Sequence, residues 1–278
     1  MIVDFHAHIF PPDVVANRDR YLASDRSFAW LYGRPEARLA SADELLVSMD
    51  DAGIDVTVVQ GFAWESDELC RQHNDYLLTA AAESGERIKA FCTLQLTDSQ
   101  AARREALRVK ERGAAGLGEL RPVAQGYDIT GEAGDALAAI AREFDLPVLF
   151  HVSEPVGHEY PGKQGLPMSD FYQFIRKHPD CKVVGAHWGG GLPLYGLMPE
   201  LAAELANAWF DTAATGLLYG EGIYERTIDV LGYERILFAS DFPLLSQKKQ
   251  LRLVRELDLE KSIIEGICGD NAARLLGL

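Results

Sequence analysis

The chain has 278 residues, which is enough for one large α/β domain or two small ones. Its 42 acidic residues against 27 basic ones give a net charge of −15, which opposes strong binding to nucleic acid or to an anionic membrane. The four cysteines share no Cys-x-x-Cys spacing, and neither a secretory signal nor a bilayer-spanning apolar run is evident, so we expect a reducing, cytoplasmic location.

Short apolar or β-branched runs alternate with longer amphipathic segments eight times along the chain. The predicted strands lie at residues 2–5, 56–61, 88–94, 114–119, 147–151, 182–187, 208–212 and 236–241. The predicted helices lie at residues 41–52, 67–84, 99–111, 131–144, 168–177, 194–206, 221–231, 246–257 and 259–275. Strands that are apolar on both faces and alternate with helices indicate a parallel sheet. Eight such units predict an α/β fold, a (β/α)8 TIM barrel that forms a single domain over residues 1–278.

Two segments are longer than a minimal barrel requires. Residues 10–39 and 153–167 each follow a strand with histidine at or just beyond its end, and both contain aromatic residues and prolines. Long loops in compact domains are usually functional or disordered, and the aromatic content argues against disorder. We therefore expect both to form walls or lids over a pocket. An exposed aromatic loop would serve equally well as the interface of a homodimer.

Six polar residues stand at the ends of predicted strands. Successive side chains of a strand alternate in direction, so His6 and His8 project to the same side, as two imidazole ligands of one divalent cation would. A packed histidine pair would show the same spacing. The carboxyl ends of barrel strands meet at one mouth, where further polar side chains would join this pair. The six candidates are His6, His8, Glu119, His151, His187 and Asp241. Together they offer the nitrogen and oxygen ligands that a hydrolytic metal site needs.

Five segments carry a resemblance to a known family. They are His-Ala-His at 6–8, Phe-His at 150–151, His-Pro-Asp-Cys-Lys-Val-Val-Gly-Ala-His-Trp-Gly-Gly at 178–190, Phe-Ala-Ser-Asp-Phe-Pro at 238–243, and the ending from Gly269 to Leu278. With them the chain resembles the amidohydrolase superfamily. It is most similar to the amidohydrolase-related branch named for aminocarboxymuconate-semialdehyde decarboxylase. The resemblance spans the whole chain.

The resemblance implies a role for each matching residue. His6, His8, His151 and Asp241 would bind a divalent metal, usually zinc, although three imidazoles and a carboxylate also suit manganese or iron. His187 would act beside the metal as a base or electrostatic partner, or would bind a second ion. Asp241 would also accept a proton from the attacking water, whose pKa the cation lowers toward neutrality.

Glu119 departs from the commonest pattern of this branch. Gly116-Leu117-Gly118-Glu119 is similar instead to the fourth strand of TatD-type nucleases and other two-metal relatives. A carboxylate at this position can bridge two ions, which would favour hydrolysis over decarboxylation. The alternative is an ion pair with Arg121 at the rim of the barrel.

Four further residues are candidates for contact with the substrate. Arg121 follows Glu119 by two positions, and its guanidinium would hold both oxygens of a substrate carboxylate, unless it forms a salt bridge at the rim. Trp188, Tyr160 and His158 follow strand ends or lie in the second long loop. They suggest an apolar pocket with few polar anchors, although a solvated loop histidine is an equal alternative for His158.

Three hypotheses for the function follow. The first is a metal-dependent hydrolase that uses one or two ions on a small lactone, ester or amide. The second is a metal-dependent, non-oxidative decarboxylase or hydratase of a small aromatic or unsaturated carboxylic acid. The third is a binding protein without turnover, against which the six polar strand ends argue, because buried unpaired His and Asp side chains are costly.

Overall fold

The computed structural model describes all residues from 1 to 278. Its strands are β1 Val3–Ala7, β2 Val56–Gln60, β3 Ile88–Cys92, β4 Gly116–Leu120, β5 Val148–Phe150, β6 Val152–Ser153, β7 Leu166–Pro167, β8 Val183–Gly185, β9 Ala208–Asp211 and β10 Ile236–Leu237. Eight of them form one parallel sheet in the order β1-β2-β3-β4-β5-β8-β9-β10. All eight predicted strands are therefore present, with ends that differ by a few residues.

The sheet closes on itself between its last and first strands. The Phe5 amide donates to the Phe238 carbonyl at 2.8 Å, and the Asp241 amide donates to the His6 carbonyl at 2.9 Å. Ala7 and Phe242 add an isolated parallel bridge. Eight parallel strands closed in this way, with helices around them, confirm the predicted (β/α)8 barrel.

Helices surround the barrel and connect its strands. They are α1 Pro12–Ala16, α2 Arg18–Ser24, α3 Arg26–Tyr32, α4 Ala42–Ala52, α5 Asp67–Glu83, α6 Ser99–Glu111, α7 Pro122–Gln125, α8 Glu132–Phe144, α9 Met168–Lys177, α10 Ala186–Gly189, α11 Pro199–Glu204, α12 Thr215–Leu218, α13 Gly222–Leu231, α14 Gln247–Arg255, α15 Lys261–Glu265 and α16 Asn271–Leu276. No helix combines the length and the apolar character needed to cross a membrane.

The helix predicted at 194–206 is wrong in its first half. Leu192–Leu197 forms a 3₁₀ helix, and α11 starts only at Pro199. Proline lacks the amide that an interior helical position must donate but suits the first turn, so Pro199 begins a helix instead of continuing one. The final predicted helix is also interrupted, by a π-helical segment at Gly266–Asp270 between α15 and α16.

The long segment after β1 is folded into α1, α2 and α3. Its aromatic side chains pack on residues that follow β2, in a buried cluster of Phe10, Val14, Tyr21, Phe28, Phe62, Trp64 and Cys70. The second long segment is anchored by the short parallel pair of β6 and β7. Both segments contribute residues to the same cavity, among them Tyr32 and Tyr160.

Candidate metal centre and active site

A β-bulge in β1 places the two histidines of the first strand. Asp4 pairs with Thr57 and Ala7 with Val59, so β1 has one more residue than β2 over this stretch. Simple alternation puts Asp4 on the same side as His6, but Asp4 instead accepts a hydrogen bond from Gln247 of the outer helix α14 at 2.8 Å. The bulge therefore separates a buried structural carboxylate from the histidines at the barrel mouth.

His6 is held by a carboxylate, Asp211, that was not among the predicted site residues. Its Nδ1 lies 2.8 Å from Asp211 Oδ2, and both side chains are fully buried. This contact directs His6 Nε2 toward His8 Nε2, at 3.0 Å. Asp211 ends β9, so the strand-end rule that selected the other candidates would also have found it. Carboxylate partners of this kind orient histidine ligands of metals.

Glu119 connects the histidines of β1 to His151. Its Oε1 lies 2.8 Å from His151 Nδ1, whereas Oε2 lies 3.8 Å from His6 Nε2 and 3.6 Å from His8 Nε2. Burial opposes ionisation of Glu119, but the three nearby imidazoles outweigh it and hold the pKa of Glu119 well below its usual range. The alternative ion pair with Arg121 does not form, since no Arg121 nitrogen lies within 4.0 Å of a carboxylate oxygen.

His187 and Asp241 occupy left-handed positions a few residues beyond the ends of β8 and β10. Their φ angles are 55° and 62°, a region that residues other than glycine seldom adopt. The His187 amide donates to Asp211 Oδ1 at 2.9 Å, which helps to hold its turn. His187 Nε2 lies 3.8 Å from Asp241 Oδ2, and His8 Nε2 lies 3.7 Å from Asp241 Oδ1. The structure thus brings all six predicted strand-end residues together.

Burial and neighbouring charges shift the pKa values of the residues in this cluster. Loss of water around Asp241, only partly opposed by His6, raises its pKa to about 6. Burial lowers the pKa of His187 to about 3, and burial together with His6 lowers that of His8 to about 3. His6 behaves oppositely, because Asp211 and Glu119 outweigh burial and raise its pKa to about 10.

The donor set fits a divalent cation. Two groups of potential ligands, His6–His8–Glu119 and Glu119–His151–His187, each bring their ligand atoms within 4.8 Å of one another. The two Nε2 atoms of His6 and His8 face each other at 3.0 Å, so a proton or a cation must lie between their lone pairs. Imidazole and carboxylate ligands suit zinc, manganese and iron.

A cavity of about 700 Å³ opens onto the cluster. His8, Glu119, His151, His187 and Asp241 line it on the barrel side. Its apolar walls include Leu31, Phe62, Ala63, Ala214, Leu217, Leu218, Pro243 and Leu244. The cavity therefore combines an apolar body with a few polar groups at one end, as small-molecule sites do.

Three of the four predicted substrate residues line this cavity, and Trp188 does not. Arg121, Tyr160 and His158 contribute to the lining. The indole of Trp188 is fully buried and donates from Nε1 to Thr215 Oγ1 at 2.9 Å, so its assignment to the substrate is corrected. Trp188 follows His187 in the same turn, but its indole packs edge-on against the Tyr224 ring, with 5.0 Å between the ring centroids. Tyr32, at the end of α3, lines the cavity and was not predicted.

The Arg121 side chain is buried without an acidic partner. It is 2% exposed, and Nη1 donates to Ser27 Oγ at 2.9 Å. Nη2 has a longer contact, 3.5 Å, with the Gly162 carbonyl, and Nε has no partner. Burial lowers the pKa of Arg121 from its ordinary value, yet a guanidinium stays charged in proteins. Arg121 is thus a cation in the cavity wall with donors available to a ligand.

Comparison with known proteins places the chain in a family. The amidohydrolase family model matches residues 3–278. No curated protein sequence matches the chain significantly. Because the family model covers nearly the whole length, the chain belongs to the amidohydrolase family, as the resemblance had indicated.

Several solved structures share the fold at low sequence identity. The 5-carboxyvanillate decarboxylase of Sphingomonas paucimobilis has a TM-score of 0.81 and 18% identity, with 100% of this chain and 99% of that chain covered. The enzyme of the same name from Novosphingobium aromaticivorans, complexed with manganese and 4-hydroxy-3-methoxy-5-nitrobenzoic acid, has a TM-score of 0.83 and 18% identity, with coverage of 100% and 96%. The 2,6-dihydroxybenzoate decarboxylase of Rhizobium has a TM-score of 0.77 and 19% identity, with coverage of 99% and 98%.

Proposed function

We propose that the protein is a metal-dependent, non-oxidative decarboxylase of a small aromatic or unsaturated carboxylic acid. The observation that carries this proposal is Arg121, a buried guanidinium with no carboxylate within 4.0 Å, in the same cavity as the His and Asp cluster. An unpaired buried charge is costly, and a ligand carboxylate that accepts two of its hydrogen bonds would offset that cost.

The structural neighbours support this proposal over the hydrolase that was the first hypothesis from the sequence. Their names describe decarboxylases of ring carboxylic acids, and one of them was complexed with manganese and a nitrobenzoic acid. A hydrolase of neutral lactones, esters or amides would leave Arg121 without a partner. The identity of the cation, a homodimeric state, the single domain and the cytoplasmic location stay predictions.

The mechanism assigns a task to each part of the cavity. A divalent cation held by His6, His8 and Asp241, with Glu119 beside them, would supply a Lewis acid for substrate oxygens. Arg121 binds and orients the acid, and the apolar walls exclude water. The carbon–carbon bond to the carboxyl group breaks, carbon dioxide leaves, and the electron pair stays on the substrate carbon. That carbon then takes a proton, for which the Asp241 carboxyl group, 3.7 Å from His8 Nε2 and 3.8 Å from His187 Nε2, would be the carrier.

A release assay tests this function. Protein reconstituted with manganese or zinc is incubated with hydroxybenzoic acids, ring dicarboxylic acids and unsaturated diacids in D₂O. We expect carbon dioxide release together with one deuterium on the carbon that lost the carboxyl group. Treatment with a chelator should stop release, and added metal should restore it. Hydrolysis of esters or lactones, with no carbon dioxide from any acid, would contradict the proposal.

One observation favours hydrolysis as a second candidate function. Glu119 belongs to both ligand groups of the cluster, a position from which a carboxylate can bridge two ions. Two bridged ions are typical of hydrolytic sites, whereas the decarboxylase mechanism above needs one. Metal stoichiometry therefore separates the two functions.

We expect about one ion per chain in both wild type and Glu119→Gln, because a single cation would keep His6, His8 and Asp241 as ligands when Glu119 is replaced. The measurement is elemental analysis of protein purified without chelator. Glu132→Gln is the matched control, since Glu132 is exposed and forms no ion pair. About two ions in wild type that fall to about one in Glu119→Gln would favour the hydrolase.

A further inference from the structure

The mouth of the cavity carries two arginines that the mechanism does not use. Arg34 and Arg38 both line the cavity and are exposed to solvent, whereas Arg121 lies at its buried end. Neither of the two side chains forms an ion pair within 4.0 Å or a hydrogen bond inside the protein. Their guanidinium groups are therefore free to bind a ligand that enters the cavity.

The backbone that presents these arginines is held in place. The Arg34 carbonyl accepts from the Ala37 amide at 3.0 Å, which closes a turn between the two arginines. Arg18 of α2 lies beneath this turn and donates to the Arg34 carbonyl at 2.8 Å and to the Tyr32 carbonyl at 2.9 Å. A fixed backbone reduces the entropy lost when the two side chains bind an anion.

The size and charge of the cavity indicate what would reach these arginines. The cavity volume of about 700 Å³ would hold roughly two dozen water molecules, each of which occupies about 30 Å³ in the liquid. This volume is far larger than that of a single ring with one carboxylate. The apolar residues that line the cavity include the buried Phe62, the half-buried Leu31 and the exposed Leu217. The two positive charges of Arg34 and Arg38 outnumber the single negative charge of Glu36, which also lines the mouth. The distal end is thus locally positive in a chain of net charge −15.

We propose that Arg34 and Arg38 form a second anion-binding subsite, and that the substrate is an elongated diacid. Its reacting carboxylate would bind at Arg121, its apolar body would fill the cavity, and its second anionic group would bind at the mouth. This inference rests on the proposed function, which places the reacting carboxylate at Arg121. It adds that the opposite end of the substrate carries a second anionic group.

Binding of two matched probes tests the subsite. Isothermal titration of the manganese-loaded protein compares biphenyl-4-carboxylate with biphenyl-4,4′-dicarboxylate, which differ only in the distal charge. Because the mouth is exposed, we expect the diacid to bind about tenfold more tightly in wild type. The double variant Arg34→Gln/Arg38→Gln should remove this difference and leave the affinity for the monoacid unchanged. Arg104→Gln/Arg255→Gln is the control, because it removes the same charge from exposed arginines outside the cavity.

The outcomes distinguish the subsite from the proposed function. Equal affinities for both probes in wild type, with Arg121→Gln weakening both, would overturn the subsite and keep the carboxylic acid site at Arg121. A loss of diacid preference in the Arg104/Arg255 control as large as in the Arg34/Arg38 variant would also overturn the subsite, because net charge would then explain it. If neither probe binds wild type, the carboxylic acid site itself is wrong, and the subsite with it.

Discussion

Replacement of Asp241 by asparagine is expected to lower the rate of carbon dioxide release by about a thousandfold, within the range of 10² to 10⁴ that positioned acid–base groups contribute. The side chain lies between His8 and His187 at the cavity, and an amide cannot carry the proton to the substrate carbon. The fold should survive, because the bond that closes the barrel here comes from the Asp241 backbone amide to the His6 carbonyl. The measurement is the initial rate with metal-loaded protein of known metal content.

The pH dependence of stability in the Asp241→Asn variant shows whether Asp241 exchanges a proton or only packs against its neighbours. The pKa of Asp241 is raised from 3.8 to about 6 in the folded protein, so its contribution to stability is present below pH 3.8 and lost as pH rises through about 6. In metal-free protein the variant should therefore gain stability over wild type between pH 5 and pH 8, by up to about 3 kcal/mol. Asp180→Asn, an exposed residue without an ion pair, should show no such gain. A fully metallated Asp241→Asn variant with the wild-type rate would refute the proposed proton path.

Replacement of Arg121 by methionine is expected to act in opposite directions on activity and on stability. Loss of a buried charged contact to the substrate carboxylate typically costs about 2–5 kcal/mol, so kcat/KM for the acid should fall by a factor between roughly 30 and several thousand. The ligand-free protein should be as stable as wild type or about 1 kcal/mol more stable, because the guanidinium is buried without a carboxylate partner. The loss of its bond to Ser27 opposes this gain.

Denaturant unfolding and steady-state kinetics together test the Arg121 prediction. Arg121→Lys is the informative companion, since it keeps the charge but loses the two parallel donors, and it should recover only part of the activity. Arg104→Met, on the exposed face of α6, is the control and should change neither quantity. A variant at Arg121 that loses several kcal/mol of stability and keeps kcat/KM would show that the guanidinium is structural.

Local sequence patterns were sufficient to predict the barrel fold and most of the polar residues at its mouth. Short apolar runs separated by amphipathic segments predicted all eight barrel strands, because burial on both faces leaves the same pattern in every strand of a parallel sheet. The carboxyl ends of those strands must meet, and this topological fact alone selected His6, His151 and Asp241 from distant parts of the chain.

Contacts made by single side chains were decided only by the tertiary structure. Strand alternation does not reveal the bulge that turns Asp4 toward Gln247, nor does it show that Trp188 packs against Thr215 instead of facing the substrate. The lack of a partner for Arg121 is likewise a property of its surroundings, since Glu119, two residues away, pairs with His151. Periodicity records which face of an element is buried, whereas the partner of a buried polar group depends on what distant segments bring to it in three dimensions.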